Sequence, residues 1–364
     1  MQLNKLKWET TTEYNTGLDA TFLKGKLRFT VDVYQKYVKD LLQPKVKMPT
    51  TIGYGNGYQI SYMNSGKMTN KGWEFRVDAV PFQNKDWRVG VYFNIAHNEN
   101  KITEMPDNYI EENYTFGNGN YAYRREEGRP MGSFYGYRYK GVYQNKDATY
   151  ARDIEGNVMK DISGNAIVMR NGSYTVAPGD AIYEDVNHDG VINQYDIVYL
   201  GNSNPRLTGG AGLNVSYKQF KLSAIFYGRY GQDVVNATRL NNESMRGIDN
   251  QSTAVLRRWR NEGDQTDIPR ALYGEGYNTL GSDRFVEDAS YLRLKSLSFT
   301  YRLPKKAIQR WGFNNIDVYV TGYNLFTWTK YTGQDPEVKT ENTYARDTAT
   351  TPASIPVSYT HLTL

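Results

Sequence analysis

Cysteine is absent from the 364 residues, which excludes disulfides, thiol nucleophiles and Cys-ligated zinc. Histidine is nearly as scarce. His97, His188 and His361 are the three present, and no two are close in sequence, so neither a Ser-His-Asp set nor a His-based metal cage can be built. No run of about eighteen apolar residues occurs, and hydrophobic residues are only 39%, which rules out a bundle of membrane helices. A dominant charge sign is missing too. The 44 basic and 39 acidic residues leave a net +5 scattered along the chain, a pattern that points away from nucleic acid. Aromatic residues, by contrast, are abundant. Tyr 32, Phe 13 and Trp 6 make up 14%, far too many for a disordered tail.

Helical spacing is almost absent, whereas alternation with period two recurs. Trp73, Phe75, Val77 and Ala79 alternate with Glu74, Arg76 and Asp78. Trp87, Val89, Val91, Phe93 and Ile95 alternate with Arg88, Gly90, Tyr92, Asn94 and Ala96. Such alternation makes a sheet with one apolar and one polar face. Further strands are expected at Tyr14–Phe22, Leu27–Lys39, Gly210–Tyr217, Lys221–Tyr230, Tyr291–Leu303 and Ile316–Phe326. At about 9–13 residues they are long for a soluble sheet and long enough to cross a bilayer at a tilt.

Connection lengths carry more information than the strands. Leu23–Lys26, Gln83–Asp86 and Lys218–Phe220 are short links, and Pro304–Asn315 is a modest one with a helical turn expected at Lys305–Arg310. The connections between them, about 40–65, 100–207 and 232–289, are long. Short and long links alternate in phase, which places all short turns at one end of an antiparallel meander. Outer-membrane barrels are built this way, and their aromatic girdles suit a tyrosine-rich chain. A soluble β-sandwich with decorated loops also alternates and stays open as the alternative. The fold class expected is all-β, an antiparallel transmembrane β-barrel segment with long extracellular loops.

One stretch has metal-ligand spacing. Asp185-x-Asn187-x-Asp189-Gly190-Val191-Ile192-Asn193-x-x-Asp196 places oxygens at positions 1, 3, 5, 7, 9 and 12 of an EF-hand-type loop, with Gly at position 6. Asp185, Asn187, Asp189, the Val191 carbonyl, Asn193 and Asp196 are the expected ligands of a structural Ca2+. Asp at the last position reaches less far than Glu. The alternative is an Asp/Asn/Gly-rich turn that binds nothing. Other signals are weaker. Gly53–Gly57 and Gly117–Gly119 lack the strand-then-helix setting of a phosphate cradle and are read as loop apices. Leu256–Arg260 reads as one face of a loop helix. Glu111-Glu112 and Glu126-Glu127 are neighbours that point apart, so they are solvated charges and not glycosidase acids. Tyr114, Phe116, Tyr121, Tyr123, Phe134, Tyr135 and Tyr137 interleave with polar residues in the longest connection. They suit either sugar contact or the loop's own small core, and the latter is the commoner role. No catalytic residue is assigned, and the chain is expected not to be an enzyme.

Several blocks resemble the SusC/RagA type of TonB-linked outer-membrane nutrient receptor. They are Leu6–Thr11, Asn70–Glu74, Gly132–Tyr137 with Gly141–Gln144, Pro178–Asp180 leading into Asp185–Gly190, and Asn324–Tyr331 ending in Asp335–Glu337. Their order from about residue 6 to 340 carries the resemblance more than any one of them. It implies the C-terminal part of a plugged barrel of about 22 strands, lying in the outer membrane of a Gram-negative bacterium in contact with its lipid. About eight strands are counted here. The plug, the TonB-contacting segment and the final strand are not recognised, so residues 1–352 are read as the C-terminal part of the barrel with a loop insertion at about 100–207. Residues 353–364 connect to no upstream pattern and are read as a non-native tail. The resemblance further implies import of oligosaccharides or peptides, a SusD-like lipoprotein lid over the tallest loops, and energy from TonB–ExbBD through the missing N-terminal region. A secreted calcium-stabilised adhesion module and a passive porin remain the competing functions.

Overall fold

The computed structural model describes residues 6–47, 59–64, 66–105, 121, 126–337, 340–341, 344–347 and 357–363. Its frame is one antiparallel sheet of nine strands, each paired with the next along the chain. We number them β1 (Thr10–Phe22), β2 (Leu27–Lys39), β3 (Lys67–Gln83), β4 (Trp87–Glu104), β5 (Leu207–Tyr217), β6 (Phe220–Tyr230), β7 (Tyr291–Arg302), β8 (Asp317–Thr329) and β9 (Val357–Thr363). Eight of these are the strands expected from alternation. The link between β7 and β8 holds the expected helical turn, Lys305–Ile308, followed by a 3-10 turn at Gln309–Trp311.

Among the described residues the ninth strand departs from the count of eight. It lies in the tail and pairs with β8 from Asp317↔Thr363 to Tyr323↔Val357. The physical reason is general: β8 would otherwise present an unpaired edge, and such an edge accepts any extended segment within reach. Backbone pairing of Val357–Thr363 is therefore indifferent to where that segment comes from.

Short turns are chemically determined. At the β3–β4 turn, Asn84 Oδ1 accepts the backbone N–H groups of Asp86 (2.9 Å) and Trp87 (2.8 Å), an Asx turn. Only Lys218 and Gln219 separate β5 from β6, and Lys218 takes a left-handed φ of 50° to close that link.

Register sorts the side chains onto two faces. Val31, Phe75, Ile95, Gly209, Gly228 and Leu292 follow one another across neighbouring strands on one face. Between the ends of the strands this face is aliphatic and aromatic, and Phe93, Leu222 and Val320 on it are exposed. Aromatic pairs mark its two limits. At the short-turn end Phe22 stacks on Phe29 (5.6 Å), Trp87 meets Tyr217 (4.3 Å) and Phe220 stacks on Tyr301 (4.8 Å). At the other end lie Tyr14–Tyr37 (6.3 Å), Trp73–His97 (6.1 Å) and Phe326–Trp328 (6.1 Å). The 11 residues of β6 run from one limit to the other. At about 3.3 Å per residue and a tilt of roughly 40°, they cover the ~25 Å apolar height of an outer-membrane barrel.

The opposite face is polar and bonded to itself. Ser223 donates to Asn214 (2.9 Å), Ser298 and Thr321 share a bond of 2.8 Å, and Tyr34 donates to Asn98 (3.0 Å). Glycine on this face makes room for rings. A Cβ at Gly212 would fall 1.9 Å from the Tyr92 ring. Exposed hydrophobics on one face and hydrogen-bonded amides on the other suit a wall with lipid outside and water inside. A soluble sandwich would bury the apolar face instead.

Burial concentrates at the long-loop end. Ser133–Gly136 pairs with Val198–Asn202, Tyr139–Val142 with Ala181–Tyr183, and Asp233–Asn236 with Val286–Asp288. A core of Tyr135, Tyr137, Tyr143, Tyr183, Ile192 and Tyr277 joins the two longest connections.

Candidate functional site

The loop layer is braced by a buried polar hub. Asp180 is fully buried at the end of the Pro178-Gly179-Asp180 block. Its carboxylate accepts hydrogen bonds from the Tyr174 hydroxyl (2.7 Å), the Ala177 N–H (2.9 Å), Arg270 Nε (2.7 Å) and Asn278 Nδ2 (3.2 Å). Arg270 and Asn278 come from the connection at about 232–289 and Asp180 from that at about 100–207, so one carboxylate ties both together. Gly179 beside it has φ +89°, and a Cβ there would lie 2.3 Å from the Trp259 ring. That explains why glycine precedes Asp180. Around the hub, Tyr183 donates to the Tyr277 carbonyl (3.0 Å) and Tyr121 to that of Ser282 (2.8 Å). Burial drives the Tyr183 and Tyr277 hydroxyls well above the ordinary range, and Tyr143, for the same reason first, to about 12. These groups stay protonated, and the Tyr183 hydroxyl serves as a donor.

Two ion networks tie the layer to itself and to the wall. Glu243 holds Arg239 (2.9 Å) and Arg284 (2.9 Å), and Arg239 also meets Glu287 (3.2 Å). On the inner face of β7, buried Arg293 binds Asp335 (2.5 Å) and Glu337 (2.8 Å), while Lys295 also takes Glu337 (2.9 Å). The Asp335-Pro336-Glu337 block thus fastens the connection after β8 to the polar wall.

The expected calcium loop is curled but internally bonded. Asp185 accepts the N–H groups of Asp189 (3.2 Å) and Gly190 (2.8 Å). Asp189 accepts the Val191 N–H (2.8 Å) and the Asn187 side-chain amide (2.9 Å). Asn193 caps Tyr195 through its Oδ1 (2.8 Å) and donates its amide to the Val191 carbonyl (3.1 Å). Asp196 is buried and accepts the N–H groups of Val186 and Asn193, both at 2.8 Å. Burial raises its pKa, and the nearby charges of Asp185 and Asp189 raise it further against those two hydrogen bonds. The structure brings all six residues into one turn. Among the described residues, however, no three His, Cys, Asp or Glu side chains form a group that could hold a metal ion.

Other expected features fall into place. Tyr121, Phe134, Tyr135 and Tyr137 are buried and pack the layer, so a capture surface of these aromatics is not what they form. Tyr114, Phe116 and Tyr123 lie outside the described residues, as do Gly53–Gly57, Gly117–Gly119 and Glu111-Glu112. Glu126 and Glu127 are exposed and accept bonds from the Tyr135 hydroxyl (3.0 Å) and the Met105 N–H (2.8 Å). Leu256–Arg260 is not one face of a helix. A 3-10 turn ends at Arg257, Leu256 is exposed and Trp259 is buried under Gly179. Sequence reading missed the Asp180–Arg270 hub, although Pro178-Gly179-Asp180 was visible as a block.

Comparison with known proteins agrees with this geometry. The family described as TonB dependent receptor-like, beta-barrel matches residues 2–325. TonB-dependent receptor P3 of Formosa agariphila is 32% identical over 346 residues, which are 93% of this chain and 32% of that protein. TonB-dependent receptor SusC of Bacteroides thetaiotaomicron is 30% identical over 343 residues, covering 92% of this chain and 30% of that one. The solved structure of the RagAB peptide importer in the closed-closed state matches with a TM-score of 0.66 at 27% identity, over 98% of this chain and 35% of that chain. The chain spans about a third of the length of the curated relatives it matches. With an open wall of lipid-facing strands and a family match over most of its length, the chain belongs to the TonB-dependent receptors, as a sector of their outer-membrane β-barrel.

Proposed function

We propose that the protein to which this sector belongs imports oligosaccharides or peptides across the outer membrane. Energy comes through TonB–ExbBD, and a SusD-like surface lipoprotein closes over the long loops. The role is transport without catalysis. The observation that carries the reading is the braced loop layer: two connections at one end of the wall, locked by Asp180 and Arg270 (2.7 Å), offer a fixed surface above the polar inner face. A rigid surface suits repeated docking of a lid, because little ordering entropy is lost at each closure. The SusC and RagAB likenesses support the lipoprotein partnership, and the RagAB description supports peptides among the cargo. The test is uptake of labelled oligosaccharides and peptides by cells with and without the complete receptor, the lipoprotein and TonB. Uptake that needs all three supports the reading. Uptake indifferent to TonB points to a passive pore, and binding without uptake to an adhesin.

We also propose that Asp185, Asn187, Asp189, the Val191 carbonyl, Asn193 and Asp196 hold Ca2+ as a structural staple of the connection at about 100–207. The order of oxygen donors along the chain and the closed turn support it. The missing preformed group of acids means that the Asn187 and Asn193 amides must turn their oxygens inward on binding. Calorimetry and metal analysis of the complete receptor at millimolar calcium test the site. No heat and no bound calcium would remove it.

A further inference from the structure

A trough interrupts the lipid-facing side of the wall at its long-loop end. It has a volume of about 730 Å³ and is open along its outer side. Gly209 and Gly228, paired directly across β5 and β6, form its floor together with Ala211, which pairs with Phe226. Ile95 and Phe93 bound it on the β4 side, and Leu292 and Trp328 on the other. The glycines have a structural reason of their own. A Cβ at Gly209 would meet the Asn94 carbonyl at 2.7 Å, and one at Gly228 the Tyr291 carbonyl at 2.8 Å. Close approach of the strands therefore leaves bare backbone where neighbouring positions carry side chains.

Position decides what fills the trough. It is cut into the apolar face between the aromatic limits, so hydrocarbon is what meets it. Trp328, 52% exposed, and Tyr230, 61% exposed, stand proud at its upper rim. A second barrel wall could not press flat against such raised sides, whereas a flexible chain can lie between them. Lys330 also lines the rim. It is exposed and has no ion pair among the described residues, and it sits past the last apolar position of β8. Among the described residues that line the rim Asp288 is the one carboxylate, and its Oδ1 accepts the Ser290 N–H (2.8 Å).

We propose that this trough is a lipid site of the outer leaflet. One acyl chain of a lipid A-type glycolipid lies over Gly209, Ala211 and Gly228, and its phosphate is held by Lys330. Van der Waals packing of the chain against the bare backbone and flanking rings supplies the fit, since lipid tails are already out of water, and the ammonium supplies the preference for a phosphorylated headgroup. The proposal concerns the barrel's contact with the membrane and does not depend on what the receptor carries.

Native mass spectrometry of the complete receptor, extracted in mild detergent and offered lipid A, tests it. Ala211→Phe fills the trough without disturbing the glycine pair. Lys330→Glu reverses the rim charge, and Val215→Phe, on the same face of β5 nearer the short turns, is the control. Wild type and Val215→Phe should retain lipid A, Ala211→Phe should lose it, and Lys330→Glu should release it at lower detergent concentration. Equal retention by Ala211→Phe and wild type would overturn the proposal, as would no retention by wild type. A dimer that Ala211→Phe converts to monomer without change in lipid would overturn it too, because the trough would then hold another barrel.

Discussion

The barrel wall and the loop layer solve the same problem in opposite ways. The wall turns its aliphatic and aromatic side chains outward and hydrogen-bonds its polar ones to one another. The layer puts tyrosines, Ile192 and Val235 inside and surrounds them with charge. What differs is the solvent. Where lipid is outside, an exposed Phe93 costs nothing and an inward Asn214 meets water or a partner. Where water is on every side, ordinary burial returns. The boundary is visible on β3 and β4. Trp73 faces His97, and two positions further on the same face Lys71 pairs with Glu99 at 2.9 Å. Beyond the aromatic limit the lipid-side face becomes ionic because it has left the membrane.

The largest expected effect belongs to the layer. Arg270→Ala strands the buried Asp180 carboxylate and should cost the layer about 3–5 kcal/mol. Hydrogen exchange in the complete receptor should then rise together in residues 174–184 and 268–282 while β1–β8 stay protected. If only one of those segments loosened, the two connections would not be one unit. Next comes the wall. Leu213→Arg, at the middle of the lipid-facing side of β5, should cost about 2–4 kcal/mol. Asn214→Arg, one residue along on the inner face, should leave stability nearly unchanged. Denaturant titration of receptor folded into lipid vesicles separates them, and similar values would erase the two-faced reading.

The proposed calcium site predicts a smaller effect with a defined pH sign. With the ion at tenfold its Kd, the connection at about 100–207 should gain roughly 1.4 kcal/mol against proteolysis. Asp189→Ala should abolish that protection. The Asp196 pKa is raised by burial first. The folded loop therefore binds a proton more readily than the unfolded one, and without calcium its stability increases as pH falls through that raised value. Calcium needs the carboxylate, so protection by calcium should vanish over the same interval, at a higher pH than for an ordinary aspartate. Calcium protection that persists below the ordinary aspartate range would show that Asp196 is not a ligand. Smallest of all is the exposed Lys71–Glu99 pair. Glu99→Gln should change stability by about 0.2–1 kcal/mol, less in high salt, and a larger value would place that face in a drier setting than water.

The comparison also explains what the sequence revealed. β2 was expected at Leu27–Lys39 and lies there, because membrane outside and water inside impose strict alternation. Alternation fails at strand ends, as at Lys71 and Lys67 of β3, where both faces meet water, so β3 extends beyond the Trp73–Ala79 run. In the layer, strands of three to five residues carry no period long enough to read. Its contacts join residues such as Asp180 and Arg270, 90 positions apart, or Tyr121 and Ser282, 161 apart. The turn that holds Asp185 to Asp196 was legible because its residues are local. The hub was not, since nothing in the sequence around Asp180 or Arg270 names the other as its partner.

The two-faced wall is the central claim, and β4 tests it most directly. This sector has no cysteine, so single cysteines placed one at a time from Arg88 to Ala96 in the complete receptor report without interference from it. Each is labelled with a fluorophore in vesicles containing a lipid-borne quencher, and labelling by a water-soluble reagent is measured in parallel. Positions 89, 91, 93 and 95 should be quenched from the lipid, and positions 88, 90, 92, 94 and 96 should not. A profile without that period of two, or quenching on the Asn94 side, would contradict the barrel.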